Sequence, residues 1–335
     1  MIKLSYIIPF YNGGEYIIPL LDSIFSSGLN EKEFEIIVVD DKSNDEKSIK
    51  ILHYYAKLHS NIRIIPHEEN LRQGGAKNTG IRAAQGEYIA FADQDDLIPG
   101  KGIVKALETA LLKEVDMLAC RYQYMYDDGS KNELGWHVED GYSSSGKEFC
   151  ENHFEAGVCV CPWEYLYRRE FLIEQNHPYA EKVLLEASDW VEWHLIHAEK
   201  VAFCNALIYQ WNVRDESTSH QTTAKHAASW VMVGYRKMMD AEAIHSISQI
   251  YADKVYHDGW LNVDGTIRRL WKTTGYKDFF PALGETLSPL QQIKFSPKVN
   301  LMLRYPRCTI VGLYLYGTSK RLLREIRNKL IHGGK

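Results

Sequence analysis

The chain has 335 residues, about twice a typical ~150-residue domain, so it has room for one large domain with an appendage or for two domains. Its composition, 45% hydrophobic and 25% charged, excludes bulk disorder. The net charge of −5 gives no basic surface overall, so we expect no nucleic-acid partner. Six irregularly spaced cysteines and no secretory leader pattern favour reduced thiols and a cytoplasmic protein.

The first 120 residues alternate between two hydrophobic periods. Runs of β-branched and aromatic residues predict strands, and apolar residues three and four apart predict helices. The predicted strands cover residues 3–9, 34–39, 62–65, 87–92 and 115–120. The predicted helices cover residues 15–27, 45–58, 74–84 and 102–113. This alternation is typical of an α/β fold with a mostly parallel sheet flanked by helices.

The pattern weakens beyond the fifth predicted strand. Residues 126–146 are polar and rich in glycine and serine, so we expect a loop there. Residues 148–212 mix helix and strand signals, and residues 224–275 predict aromatic-rich helices. We therefore expect two domains, residues 1–220 and a mainly helical C-terminal region, residues 221–335.

Polar clusters follow three of the predicted strands. They are Tyr11-Asn12, Asp40-Asp41 and Asp93-Gln94-Asp95-Asp96. Ligands of parallel sheets bind beyond the carboxyl ends of the strands. The clusters therefore predict a nucleotide or sugar site at one edge of the sheet.

The carboxylates Asp93, Asp95 and Asp96 repel one another, which favours a bound cation. Mg²⁺ and Mn²⁺ prefer such oxygen ligands and leave room for substrate phosphates. A solvated acidic turn or a helix cap would give the same pattern. Asp40 and Asp41 leave the same choice open, because a carboxylate after a strand can accept from a ligand or from a turn.

Two glycines and Lys77 begin the helix predicted after the third strand, in the segment Gly74 to Gly80. Free N–H groups and basic side chains at a helix start suit a diphosphate. Close packing of the helix on the sheet is the alternative explanation of the glycines.

These motifs together resemble the family 2 glycosyltransferases, which have the Rossmann-like GT-A fold. The matching segments are residues 4–17, 34–45 and 70–96 and, more weakly, 184–190 and 209–220. The resemblance implies an inverting, metal-dependent glycosyltransferase of the EC 2.4 class. It would move a hexosyl or N-acetylhexosaminyl group from a nucleotide sugar, most often UDP-linked, to a hydroxyl of a glycan or lipid-linked acceptor in surface polysaccharide biosynthesis.

The resemblance also implies roles for residues around the donor base. Pro9 and Tyr11 would line the nucleobase pocket. Asp41 or Asp40 would recognise the base, and Gln94 would lie in the donor site, where the family often has a smaller residue.

Further roles concern the diphosphate and the metal. Asp93 would contact the ribose or a metal-bound water, and Asp95 would ligate Mn²⁺ or Mg²⁺. Lys77, which stands where the family often has Arg, or Arg214 would contact the diphosphate. Residues 214–220 resemble a mobile loop that closes over the diphosphate or the acceptor.

Asp189 matches the family's catalytic base. The match departs from the family pattern at Ser188, where Glu is common. Glu186 and Glu192 are nearby alternatives for the base.

Residues 294–335 carry ten Lys or Arg residues and one acidic residue, a formal charge of +9. This tail predicts peripheral binding to an anionic inner membrane face. Alternatively, its apolar stripe docks on the protein and its charges face solvent.

Two other functions compete with glycosyl transfer. A sugar-phosphate nucleotidyltransferase would have a basic, glycine-rich loop after the first strand, but residues 10–14 contain no Lys or Arg. A non-catalytic carbohydrate-binding protein would suit the 12% aromatic content, although the intact acids at positions 40, 41, 93, 95 and 189 argue against a degenerate enzyme.

Overall fold

The computed structural model describes residues 1–135, 138–153, 161–214 and 223–273, together with a few isolated positions beyond them. Contacts divide the chain into two compact units, Met1–Gln221 and Thr222–Lys335. The predicted division after residue 220 lies next to this one, and two independently folding domains stay a prediction.

The first unit contains the elements predicted for the first 120 residues, followed by further strands and helices. Its strands are β1 (Leu4–Phe10), β2 (Phe34–Asp40), β3 (Ile62–Pro66), β4 (Tyr88–Phe91), β5 (Met117–Met125), β6 (Lys131–Leu134), β7 (Ser143–Ser144), β8 (Tyr165–Arg168) and β9 (Val201–Asn212). Its helices are α1 (Ile17–Ser26), α2 (Glu46–Leu58), α3 (Arg72–Ala83), α4 (Gly102–Lys113), α5 (Gly146–His153), α6 (Arg169–Gln175) and α7 (Ala187–His197).

The nine described strands form one sheet in the order β3-β2-β1-β4-β8-β5-β9-β7, with β6 paired to β5. Strands β3, β2, β1 and β4 are parallel, and so are β5 and β9. Strand β8 is antiparallel to both β4 and β5. Six of the nine described strands therefore run in one direction, which confirms the predicted mostly parallel α/β sheet.

The centre of the sheet explains why the polar clusters meet. All seven residues of β1 and all seven of β2 are buried, as expected for continuous apolar runs covered on both faces. Phe10 pairs with Asp40 at the end of these strands, and Ile7 of β1 pairs with Phe91 of β4. The chain segments that follow β2, β1 and β4 consequently leave the same edge of the sheet side by side.

Two local predictions were wrong. Residues 126–146 contain β6 and β7, because β6 is an exposed strand paired only with β5 and so has no apolar periodicity. Helix α3 begins at Arg72 and ends at Ala83, so Gly74 and Gly75 lie inside it and do not begin it.

The second unit contains helices α8 (Ala224–Ile244) and α9 (Gln249–Thr273), in agreement with the predicted helical region. The two helices approach closely at a pair of glycines. A Cβ on Gly234 would lie 2.5 Å from the Gly259 carbonyl oxygen, so larger residues there would push the helices apart. Among the helices that the structure describes, none is both long and apolar enough to span a bilayer.

Candidate active site

The acidic loop after β4 is anchored on β9. Asp96 is buried, and its carboxylate accepts hydrogen bonds from the Tyr209 hydroxyl (2.6 Å) and the Asn212 amide (2.8 Å). The Asp93 amide donates to the Tyr209 hydroxyl oxygen (3.0 Å). Burial raises the pKa of the Asp96 carboxyl well above its ordinary value, and the neighbouring Asp93 and Asp95 charges add to the shift. Asp96 therefore fixes the acidic loop to strand β9.

Asp95 presents its carboxylate at the surface of the same loop, with 41% of its side chain exposed. It forms an ion pair with Arg214, which follows β9. The Arg214 guanidinium also donates to the Asp95 carbonyl oxygen (3.3 Å) and lies 4.5 Å from the centroid of the Tyr16 ring. The carboxylate predicted to ligate a metal is therefore paired with Arg214, and its partly exposed oxygens are the ligand type that Mn²⁺ and Mg²⁺ prefer.

Lys77 lies in α3, and its Nζ donates to Glu186 Oε1 (2.8 Å). Both side chains of this ion pair are only 3% exposed. Burial alone would lower the pKa of Lys77, but the Glu186 and Asp93 carboxylates outweigh it, so the pKa is raised. Lys77 is therefore a buried ammonium that connects α3, the segment before α7 and Asp93.

The paired glycines of α3 serve packing. Gly74 and Gly75 lie inside the helix, after Arg72. A Cβ on Gly74 would overlap the carbonyl oxygen of Ala180, and one on Gly75 would overlap the Leu71 side chain. Close packing therefore explains both residues, but against Ala180 and Leu71 and not against the sheet. Gly80 is the glycine of this motif that packs on the sheet, since a Cβ there would overlap the Ile7 side chain of β1.

Asp41 is committed to contacts within the protein. Its carboxylate accepts hydrogen bonds from the amides of Leu71 (2.7 Å) and Arg72 (2.8 Å). It also pairs with His67 Nδ1 at 2.8 Å. Arg72 has a φ of +65°, a left-handed conformation that is costly for a non-glycine residue and that these hydrogen bonds hold at the start of α3.

Asp40 and Tyr11 remain closer to solvent at the ends of β2 and β1. Asp40 is 9% exposed and accepts a hydrogen bond from the Ser43 amide (2.9 Å). Tyr11 is exposed, and its amide donates to Gln94 Oε1 (3.0 Å), which ties the ends of β1 and β4 together. Pro9 is buried within β1. Of the two aspartates, Asp40 has the larger exposed fraction and the fewer side-chain hydrogen bonds to the protein.

Asp189 is the third residue of α7 and is buried. The Tyr179 ring, which lies 5.5 Å below the Lys77 ammonium, is affected by the charge of Asp189. Burial raises the pKa of Tyr179 well above its ordinary value, and the charges of Glu186, Asp189 and Asp93 contribute. Asp189 therefore lies in the same electrostatic environment as Lys77 and Asp93.

The two alternatives to Asp189 have different surroundings. Glu186 is the ion-pair partner of Lys77, so one of its carboxylate oxygens is already occupied. Glu192 is buried one helical turn beyond Asp189.

The sequence did not predict three tyrosines that organise the site. Tyr209 and Tyr179 contact Asp96 and Lys77, which lie more than 100 residues earlier in the chain, and Tyr16 contacts Arg214, which follows β9. No local pattern indicates such distant partners. Of the predicted closing loop only Arg214 is described, and residues 215–220 and nearly all of the 294–335 tail lie outside the described residues.

A mostly parallel sheet with acidic residues at adjacent strand ends is typical of GT-A glycosyltransferase domains. The chain belongs to glycosyl transferase family 2, because the model of the family "Glycosyl transferase family 2" matches residues 5–174, half of the chain.

Curated relatives agree with this family. The putative glycosyltransferase EpsH of Bacillus subtilis is 34% identical over 170 residues, which are 50% of this chain and 48% of EpsH. The chain therefore spans about half the length of that relative. The cholesterol galactosyltransferase of Borreliella burgdorferi is 26% identical over 261 residues, 74% of this chain and 70% of the relative.

Solved structures share the fold. S. aureus TarS 1–349 in complex with UDP-GlcNAc gives a TM-score of 0.67 at 20% identity, covering 93% of this chain and 89% of TarS 1–349. The mannosyltransferase PcManGT of Pyrobaculum calidifontis, in complex with GDP-Man and Mn²⁺, gives a TM-score of 0.53 at 15% identity, covering 99% and 88%. These likenesses confirm the GT-A architecture.

Proposed function

We propose that the chain transfers a sugar from a UDP-linked nucleotide sugar to a hydroxyl of a glycan or lipid-linked acceptor. The transfer inverts the configuration at the anomeric carbon. The observation that carries the proposal is the meeting of Tyr11, Asp40, Asp93 and Asp95 at the ends of three adjacent parallel strands. Ligands of such sheets bind in the crevice beyond these ends. An aromatic ring for a base and carboxylates for a ribose and a cation suit a nucleoside diphosphate.

The donor would bind across the strand ends. Tyr11 and Pro9 would line the base pocket, and Asp40 would accept from the base because Asp41 is fully engaged by α3 and His67. Gln94 would hold the loops after β1 and β4 in place through its bond to Tyr11. Asp93 would face the ribose.

The leaving group is a nucleoside diphosphate whose negative charge grows during transfer. Arg214 is partly exposed beside Asp95 and would neutralise part of that charge. Lys77 is buried and would act indirectly, through its electrostatic interaction with Asp93. Asp95 would hold Mn²⁺ or Mg²⁺, which supplies Lewis-acid charge to the diphosphate when bound.

An acceptor hydroxyl is a poor nucleophile, so a carboxylate must take its proton as the oxygen attacks the anomeric carbon. We assign that role to Asp189. One displacement with one base inverts the anomeric configuration. The competing carboxylate Glu186 already compensates the Lys77 charge, so its protonation would leave a buried ammonium unpaired.

Surface polysaccharide assembly is the pathway that we propose. Poly(ribitol-phosphate) β-glucosyltransferase of Bacillus spizizenii, 39% identical over 31% of this chain and 16% of the relative, acts by its name on a poly(ribitol-phosphate). The +9 charge of residues 294–335 would bring a cytoplasmic enzyme to an anionic inner membrane face, where lipid-linked acceptors are available.

A panel of nucleotide sugars with Mn²⁺ tests the proposal, with released nucleoside diphosphate as the readout. We expect release from one donor, loss of release in Asp95→Ala, and no change in the control Asp127→Ala, which alters an exposed acid in the turn after β5. Calorimetry with UDP, GDP and dTDP covers the case in which release needs an acceptor. If no nucleotide binds, the donor site is refuted.

The catalytic base is tested separately. We expect Asp189→Asn to retain nucleotide binding and to lose about 10²- to 10⁴-fold in kcat, the usual contribution of general-base catalysis. Near-normal turnover would remove Asp189 from the mechanism and direct attention to Glu192. Release of pyrophosphate instead of a nucleoside diphosphate would favour the nucleotidyltransferase alternative.

A further inference from the structure

Tyr16 lies where the turn before α1 approaches both helix α2 and the acidic loop after β4. It ends a short turn, Gly14–Tyr16, between β1 and α1. Gly14 has a φ of +51°, which favours glycine, and its amide donates to the Ser48 hydroxyl (2.8 Å), so the turn is fixed against α2. The ring of Tyr16 is thereby held near the acidic loop after β4 although 60% of the residue is exposed.

The Arg214 guanidinium is held on two sides. One side is the Asp95 carboxylate, and the other is the Tyr16 ring, with 4.5 Å between the guanidinium carbon and the ring centroid. Both contacts are made at once, and only 26% of the Arg214 side chain is exposed. Stacking on an aromatic face suits a planar guanidinium and restricts an otherwise flexible side chain.

We propose that Tyr16 is a positioning residue that holds Arg214 at Asp95 and so sets the balance between binding of a divalent cation alone and binding of the donor diphosphate. This inference rests on the proposed donor site. It assigns to Tyr16 a role that acts entirely through Arg214, without contact to the reacting atoms.

The two effects have opposite signs. A divalent cation on Asp95 would lie beside the guanidinium and would repel it, so a firmly held Arg214 opposes the cation when no nucleotide is present. A diphosphate is attracted by the same guanidinium, and less side-chain entropy is lost on binding when the ring already orders it. Loosening Arg214 should therefore favour the cation alone and disfavour the nucleotide.

Calorimetry with Mn²⁺ alone, and with UDP at saturating Mn²⁺, tests this on the full chain. An exposed cation–π contact corresponds to a change of about two- to fivefold in an equilibrium constant. We expect Tyr16→Leu to bind Mn²⁺ that much more tightly and UDP that much more weakly. Tyr16→Phe, which keeps the ring face, should match the wild type in both, and so should Tyr54→Leu, which removes an equally exposed tyrosine from α2.

Arg214→Ala provides the decisive background. If Tyr16 acts through Arg214, Tyr16→Leu has no further effect on either affinity in Arg214→Ala. An equal effect in both backgrounds, or a shift of both affinities in the same direction, would overturn the proposal.

A ligand-free measurement separates this inference from the donor site. The Arg214 Nε–Hε NMR resonance, identified by its loss in Arg214→Lys, should be shifted by the ring current in the wild type and in Tyr16→Phe. It should lose that shift in Tyr16→Leu, and an unchanged resonance would refute the contact. If the resonance moves as expected but neither Mn²⁺ nor UDP binds the wild type, the contact stands, while the donor site and the functional role of Tyr16 fail together.

Discussion

The buried ion pair between Lys77 and Glu186 gives the sharpest energetic prediction. Its atoms are 2.8 Å apart and both side chains are 3% exposed. At an effective dielectric constant of 20, the attraction is about 6 kcal/mol, most of which offsets the loss of hydration of the two charges. Lys77→Met removes the attraction and leaves the Glu186 carboxylate without hydration, so we expect unfolding to become easier by about 3–5 kcal/mol.

Urea unfolding followed by circular dichroism measures this change. The double variant Lys77→Met with Glu186→Leu removes both charges and should recover most of the stability, because apolar replacements of a buried pair are often close to neutral. Lys3→Met breaks the half-exposed pair with Glu33 and should cost less than about 1 kcal/mol. If Lys77→Met costs no more than Lys3→Met, the pair is hydrated and our account of its burial is wrong.

Three further predictions follow from burial, hydrogen bonding and charge. Burial lowers the pKa of His194 to about 3, whereas the same side chain has a pKa of about 6.5 in the unfolded chain. As the pH falls below about 6.5, His194 is protonated in the unfolded chain before it is protonated in the folded one. The free energy of unfolding should therefore fall by about 1.4 kcal/mol per pH unit. Acid titration of the unfolding midpoint should show this loss removed by His194→Gln but not by His53→Gln, an exposed control. Tyr209→Phe deletes the hydroxyl that donates to buried Asp96 and should cost about 1–3 kcal/mol in urea unfolding, and a neutral result would show that another donor replaces it. Because of the 294–335 tail, the protein should sediment together with vesicles that contain anionic lipid, and 0.5 M salt should reverse this binding. Binding that is absent or independent of salt would favour the tail docking on the protein.

The sequence predicted those parts of the fold that local patterns determine. The apolar runs of β1 and β2 are buried on both faces, so hydrophobicity alone located them. The helix predicted over residues 45–58 is α2, which Asp45 caps by accepting from the Lys47 and Ser48 amides. The meeting of the polar clusters followed from parallel topology, which requires no knowledge of side-chain contacts.

Local sequence patterns did not predict which distant strands pair with one another. Strand β8 inserts antiparallel between β4 and β5, although it follows β5 by about forty residues. Strand β6 exposes its side chains and forms only because β5 offers backbone partners. Neither placement leaves a periodic signal in the sequence, because each depends on which strand edge remains available after the others have paired.

The same limit applies within the site, and the adjacent residues Asp40 and Asp41 show it best. They have the same chemistry and follow the same strand, so no sequence argument ranks them. Asp41 turns toward α3, where two backbone amides and His67 engage its carboxylate, and it thereby shapes the loop that carries Arg72. Asp40 accepts one amide hydrogen bond from its own turn and is 9% exposed, compared with 3% for Asp41. In a site built from strand ends, the polar residues that bind the protein's own backbone form the framework, and we expect their less engaged neighbours to bind the ligand.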